Sequence, residues 1–202
     1  SSEKPIFYDL SEIFFNARSR VKIYGVIRVI AEIGLELQRI SDGIRFVIFS
    51  PGHDCFFEID PCFAHLHDSD AVDIGLPASA TPRLLRSVFH RWASLRYATY
   101  VVTSPLVQAH NRRRWKHAGI DLPRANLTDS VLISAARPKY IVEYLRVLRT
   151  SGTRLIAMLH DMIPLHDEAS RPRHQVFKGD NALIVREAAG IVANSEFTRA
   201  EI

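Results

Sequence analysis

Residues 23–49, IYGVIRVIAEIGLELQRISDGIRFVIF, decide the fold. Apolar residues recur there at spacings of three and four, which predicts one buried face of a helix over residues 23–40. The polar triplet at 41–43 ends this helix, and the apolar run at 44–49 is typical of a strand. A short apolar run at 6–10 suits a preceding strand. Strand, helix and strand in this order predict a parallel βαβ unit.

The same alternation continues along the chain. Further strands are predicted at residues 55–59, 100–103, 130–134, 154–159 and 190–193. Further helices are predicted at 84–95 and from Pro138 to 149. Another is predicted to end near residue 189, and a last one begins at the N-cap Ser195. The near-continuous apolar run at 154–159 indicates a strand that is buried on both faces of a sheet. We therefore expect an α/β fold, with a twisted, mostly parallel sheet and helices on both faces.

Composition excludes several classes of protein. The 202 residues are 47% hydrophobic and 24% charged, as in an ordinary folded domain. No apolar run approaches the roughly 18 residues that a membrane span needs, and the start resembles no secretory signal. Two cysteines, Cys55 and Cys62, are too few for a disulfide scaffold. These features indicate a cytoplasmic protein with free thiols.

Positive charge is concentrated in one stretch. Residues 74–120 contain no Asp or Glu, although the net charge of the chain is only +4. An apolar stripe at 84–95 with arginines between its members suits an anionic membrane surface. The stripe could instead pack on the sheet with the arginines in water, and nucleic acid is disfavoured because no recognition motif accompanies the charge. The membrane-facing candidates are Arg83, Arg86, Arg91, Trp92 and Arg96.

Three segments are placed where open α/β sheets bind ligands, beyond the carboxyl ends of strands. HDMIPL at 160–165 follows one predicted strand, and ANSEFTR at 193–199 follows another. The third is YGVIR at 24–28, where a glycine at a helix start lets backbone amides approach an anion closely.

These three motifs resemble family 4 glycosyltransferases over about residues 9–202. The resemblance implies a retaining enzyme with two Rossmann-like domains in the GT-B arrangement, of a type that builds bacterial surface polysaccharides. Residues 1–202 would be its N-terminal, acceptor-side domain. The helix opening at Ser195 reaches only Ile202, so we expect the nucleotide-sugar-binding domain to follow in a longer protein.

The resemblance also implies ligands and roles. The donor would be a nucleotide-sugar, with no further cofactor, and the acceptor a glycan, such as one linked to polyprenyl diphosphate at the inner face of the membrane. His160 would hold the transferred sugar and Gly25 would lie near the donor diphosphate. The weaker assignments, which include a motif near the hinge, are Arg28, Asp161, Asn194, Ser195 and Arg199.

Other interpretations remain open. His160 could be a strand-end histidine bonded to a backbone carbonyl, and Asp161 could orient it or cap the next loop. The chain could be a stand-alone domain that binds an anionic ligand, or a complete single-domain enzyme using His160 and Asp161 in acid–base chemistry. Zinc is disfavoured, because the ligand types fit but the spacings match no common pattern. The candidate ligands are Cys55, Cys62, His65, His67, Asp68 and Asp70, and a second set is His160, His166, Asp167 and Glu168.

Overall fold

The computed structural model describes residues 4–17, 25–63, 66, 72–84, 96–160 and 171–201. The strands are β1 (Ile6–Asp9), β2 (Ile44–Ser50), β3 (Cys55–Ile59), β4 (Val131–Ser134), β5 (Arg154–Leu159) and β6 (Gly190–Ala193). The helices are α1 (Ser11–Asn16), α2 (Val26–Ile40), α3 (Arg96–His117), α4 (Pro138–Ile141), α5 (Leu145–Ser151), α6 (Arg171–Glu187) and α7 (Glu196–Glu201), with a 3₁₀ turn at Ala78–Ala80.

The strands form one mixed, mostly parallel sheet in the order β3-β2-β1-β4-β5-β6. The pairs β2–β1, β1–β4, β4–β5 and β5–β6 are parallel, whereas β3 pairs antiparallel with β2. Six of the seven strands predicted from the sequence lie in this sheet, which confirms the α/β prediction. The direction of the chain along the sheet reverses between β1 and β4, and such a reversal opens a crevice at the carboxyl ends of these strands.

Helices cover both faces of the sheet. The Tyr8 hydroxyl donates a hydrogen bond to the Ile30 carbonyl of α2, 2.9 Å away. The next residue, Asp9, accepts a hydrogen bond from Tyr144, which lies between α4 and α5. Successive side chains of a strand point to opposite faces. Helix α2 and the α4–α5 segment therefore lie on opposite faces, and Phe7, Tyr8 and Asp9 are buried between them.

Three local predictions need correction, and one helix was not predicted. Residues 100–103 are not a strand but lie inside the 22-residue helix α3, which continues through Pro105. The single helix predicted at 138–149 is two short helices, because Tyr144 adopts a non-helical φ of −120° and ψ of 4° as its hydroxyl turns to Asp9. Helix α1 was not predicted. Strand β5 is fully buried on one face only, since Ile156 and Met158 on the other face are half-buried.

Candidate functional site

The candidate site is the carboxyl edge of the sheet, where the five parallel strands end at Asp9, Ser50, Ser134, Leu159 and Ala193. Side chains that follow these ends lie along one edge, because the strands run in the same direction. The β1–β4 reversal lies in the middle of this edge. We describe the edge from His160 outward.

His160 follows β5 and is held at two points. Its Nε2 lies 2.5 Å from the carbonyl oxygen of Ala135, the residue after β4. A carbonyl can only accept, so Nε2 carries a proton and donates it, and this bond selects the tautomer in which Nδ1 is the acceptor nitrogen. The backbone carbonyl of His160 accepts a hydrogen bond of 2.8 Å from the Thr198 hydroxyl. The half-buried ring therefore has a fixed tautomer and orientation.

The loop after β4 that bonds His160 is fixed by a buried carboxylate from α1. The Glu12 side chain is fully buried. It accepts hydrogen bonds from the Arg137 backbone N–H at 2.7 Å and from Arg137 Nε at 2.6 Å. A further contact of 2.5 Å joins Glu12 to the guanidinium NH2 group. Both guanidinium contacts are to Oε1, and the backbone N–H bond is to Oε2. Because charge-assisted hydrogen bonds are strong, Glu12 sets the path of residues 135–137.

A second buried carboxylate, Asp9, supports the start of the same loop. It accepts hydrogen bonds from the backbone N–H and hydroxyl of Ser11, from the Ser134 hydroxyl at 2.7 Å and from the Tyr144 hydroxyl. The Ser134 oxygen in turn accepts the Ala136 N–H. Burial raises the pKa of Asp9, and the hydrogen bonds from Ser11, Tyr144 and Ser134 oppose that rise. Burial, together with the neighbouring Asp9 charge, also raises the pKa of Tyr144 well above its usual range.

This network of Asp9, Glu12, Ser134, Arg137 and Tyr144 was missed from the sequence. Its local signal is a pair of acids inside the apolar run IFYDLSEIFF at residues 6–15. Buried carboxylates are rare unless they are paired or hydrogen-bonded, so such acids predict polar partners. The partners themselves are more than a hundred residues away in the chain.

Gly25 and Arg28 lie at the start of α2, which runs against the strands and so begins at the carboxyl edge. Gly25 has a φ of 63° and a ψ of −136°, a conformation that other residues avoid. An added Cβ would meet nothing within 4 Å. Among the described residues nothing crowds this position, so glycine is required there by the backbone conformation. Arg28 is exposed and its Nε lies 3.5 Å from Glu32 one turn later.

The motif after β6 serves the fold. The Ser195 hydroxyl accepts the Thr198 N–H at 3.0 Å and so caps α7, as predicted. The Asn194 side chain accepts a hydrogen bond from the Thr198 hydroxyl, which also reaches His160. Arg199 is exposed and pairs with Glu196 on the same helix. Thr198, which is fully buried, links this motif to the end of β5.

Some predicted site residues cannot be placed. Asp161, Arg86, Arg91 and Trp92 lie outside the described residues, and of the side chain of Arg96, at the start of α3, nothing is described. Arg83 is exposed, with its backbone N–H and carbonyl both bonded to the Asn111 amide. Among the described residues no direct hydrogen bond joins His160 to Gly25 or Arg28. In those same residues, no helix is both long and apolar enough to cross a membrane.

The zinc hypothesis gains no support from the described part of the chain. Within it, no three His, Cys, Asp or Glu side chains are grouped to hold a metal ion. Cys55 is a half-buried free thiol and Cys62 an exposed one. The other residues of both candidate sets, apart from His160, lie outside the described residues.

Comparisons of the chain with models of protein families, with curated proteins and with solved structures gave no match.

Proposed function

We propose that the chain is the acceptor-side, Rossmann-like domain of a GT-B glycosyltransferase, which transfers a sugar from a nucleotide-sugar to a glycan with retention of configuration. One observation carries the proposal: His160 lies at the carboxyl end of β5, with its tautomer fixed by Ala135. The motifs at residues 24–28, 160–165 and 193–199 support it. The strand order 3-2-1-4-5-6 adds support, because nucleotide-binding doubly wound sheets share it.

The roles proposed for residues of this chain follow from their positions at the carboxyl edge of the sheet. The imidazole of His160 would accept a hydrogen bond from a sugar hydroxyl at Nδ1, since Nε2 is already used. The first amides of α2, with Gly25 at the open N-cap, would face the donor diphosphate, because helix N-termini favour anions. The remaining charge of the departing diphosphate would be stabilised by a second domain that holds the nucleotide.

The acceptor would be a lipid-linked glycan at the cytoplasmic face of a membrane. Support comes from the acid-free stretch of residues 74–120. In its described part Arg113 and Lys116 are exposed on α3 without an acidic partner among the described residues. A basic surface of this kind is attracted to anionic lipid by on the order of 1 kcal/mol per charge before salt screening.

Nucleotide release by the complete protein tests the proposal. We expect a panel of nucleotide-sugars to reveal one or a few donors whose nucleotide is released faster when a glycan acceptor is added. Soluble and lipid-linked acceptors should be compared side by side. If no donor yields nucleotide with either class of acceptor, and the protein binds the panel without turnover, a binding domain for anionic ligands is the better account.

A further inference from the structure

The turn between β2 and β3 carries a cluster of polar and charged side chains that the proposed sugar transfer does not use. The turn occupies residues 51–54, directly after β2 at the carboxyl edge. His53 lies in it, half-buried, with Nδ1 2.9 Å from the Ser50 hydroxyl oxygen. Its ring packs edge-on against Trp115 and Phe57, at centroid separations of 5.3 and 5.5 Å. These contacts hold the imidazole in one place.

Helix α3 is docked tightly on this turn. A Cβ at Gly52 would lie 2.9 Å from the backbone nitrogen of Arg112 and 3.0 Å from Cβ of Asn111, so only glycine allows this approach. The Arg112 guanidinium donates a hydrogen bond of 2.9 Å to the Gly52 carbonyl. Arg112 is therefore fixed beside His53 and still has further N–H groups to donate.

A second arginine reaches the same place from another segment. Residues 123–125 run beside β3, because Glu58 N–H donates to Pro123 and Ala125 N–H donates to Phe56. Arg124 lies between these bonds, and its exposed guanidinium has no hydrogen bond or ion pair within the described residues. Burial lowers the pKa of His53, and the charges of Arg124 and then Arg112 lower it further. Arg124 faces Phe57 across an antiparallel bridge, and the Phe57 ring contacts the His53 ring. Arg124, like Arg112, therefore lies next to the turn that carries His53.

The acid that follows His53 in the turn is already paired elsewhere. Asp54, in the same turn, is ion-paired with Arg146 at the start of α5. The Cys55 thiol is a further titratable neighbour. Burial raises the pKa of this thiol, the positive charge of Arg124 lowers it, and the negative charge of Asp54 raises it. Within the part of the chain that the structure describes, these three donor groups therefore have no carboxylate paired with them.

We infer that His53, Arg112 and Arg124 form a binding site for a phosphate group. Two arginines from separate elements suit the oxygens of a phosphate or diphosphate, since planar guanidinium groups donate in pairs. The imidazole adds a third donor when it is protonated. A bound phosphate dianion would offset the mutual repulsion of these groups. The inference stands independently of sugar transfer, because it rests on the β2–β3 turn rather than on His160.

Titration of the 202-residue chain with inorganic diphosphate, followed by calorimetry and by the His53 ring resonances in NMR spectra, tests the site. We expect saturable binding that tightens as the pH falls through the pKa of His53, and a higher His53 pKa in the complex. Arg124→Gln should weaken binding about tenfold, because a charge-assisted contact is lost. This variant should stay folded, since the Arg124 guanidinium has no protein partner in the described structure.

Arg154→Gln is the matched control, because Arg154 is an exposed arginine at the first residue of β5, away from the carboxyl edge. Its affinity for diphosphate should equal that of the unmodified chain. Binding to vesicles of phosphatidic acid, with phosphatidylcholine vesicles for comparison, separates two sources of the phosphate group. If Arg124→Gln loses binding to phosphatidic acid, the ligand is a lipid headgroup. If vesicle binding is unchanged in this variant, the ligand is a free phosphate compound. Equal losses of diphosphate affinity in Arg154→Gln and Arg124→Gln, or no diphosphate binding at all, would overturn the inference.

Discussion

At the scale of single residues, two buried carboxylates, Asp9 and Glu12, organise the residues around the candidate site. Asp9 is surrounded mainly by hydroxyl donors, whereas Glu12 faces the guanidinium of Arg137. Both control the loop that bonds His160. Because their environments differ, substitutions should affect stability in different ways.

Asp9→Asn should change how stability depends on pH. Burial raises the pKa of Asp9 in the folded chain above the ~3.9 of an unfolded aspartate. The folded state thus binds this proton more tightly than the unfolded state does. Protonation of Asp9 therefore contributes its full stabilisation below about pH 4. That contribution is lost as the pH rises through the folded-state pKa. Urea unfolding of both proteins from pH 4 to 7 should show the unmodified chain losing stability relative to Asp9→Asn; parallel profiles would contradict the raised pKa.

Glu12→Gln should destabilise the fold by roughly 1–3 kcal/mol. Removing one charge of a fully buried pair costs about 3–5 kcal/mol, and we expect less here because the Arg137 side chain is 39% exposed. The control is Glu36→Gln, since the Glu36–Arg39 pair has both side chains 60% exposed. Exposed pairs contribute about 0–1 kcal/mol. Equal free energies of unfolding for the two variants would show that Glu12 is not an organising residue.

At the scale of elements, close approach of α3 to the β2–β3 turn depends on Gly52. Gly52→Ala should cost about 1–3 kcal/mol, as overpacking against backbone does, because the new Cβ would lie 2.9 Å from the Arg112 nitrogen. Gly179→Ala is the control: Gly179 lies in α6 with nothing within 4 Å of an added Cβ. Alanine there should stabilise the helix by up to about 1 kcal/mol. Thermal unfolding of the two variants should shift in opposite directions; a neutral Gly52→Ala would refute the tight docking.

The elements also show how far sequence reasoning extends. Long periodic segments and apolar runs bounded by turn residues predicted α2 and the five parallel strands, because burial of one face imposes the pattern. The prediction of a strand at residues 100–103 was wrong, since so short a run of aromatic and β-branched residues fits a strand or a helix equally and Pro105 suggested a boundary. The chain tolerates that proline inside α3, where it removes only one backbone donor.

The site was predictable only in part. His160 and Gly25 were placed at the carboxyl edge because they follow a strand or begin a helix in the sequence itself. The Asp9 and Glu12 network and the His53 cluster could not be predicted, because their partners come from distant segments. Asp9 and Tyr144 are 135 residues apart, and Gly52 and Arg112 are 60 apart.

At the scale of the whole molecule, the carboxyl edge of the described sheet carries both candidate sites. His160 and the start of α2 flank the β1–β4 reversal on either side, and the His53 cluster lies beyond β2. In the proposed enzyme, the first region would hold the transferred sugar and the donor diphosphate. There, His160 would act on the sugar in the transition state, in addition to joining β5 to the residue after β4.

The rate of sugar transfer by the complete protein carrying His160→Ala tests that claim most directly. The account predicts a loss of about 10²-fold in kcat, with a free energy of unfolding that changes too little to explain it. His117→Ala, at the exposed end of α3, should transfer sugar at the normal rate. A folded His160→Ala protein that retains near-normal kcat would contradict the account and leave the histidine with a structural role alone.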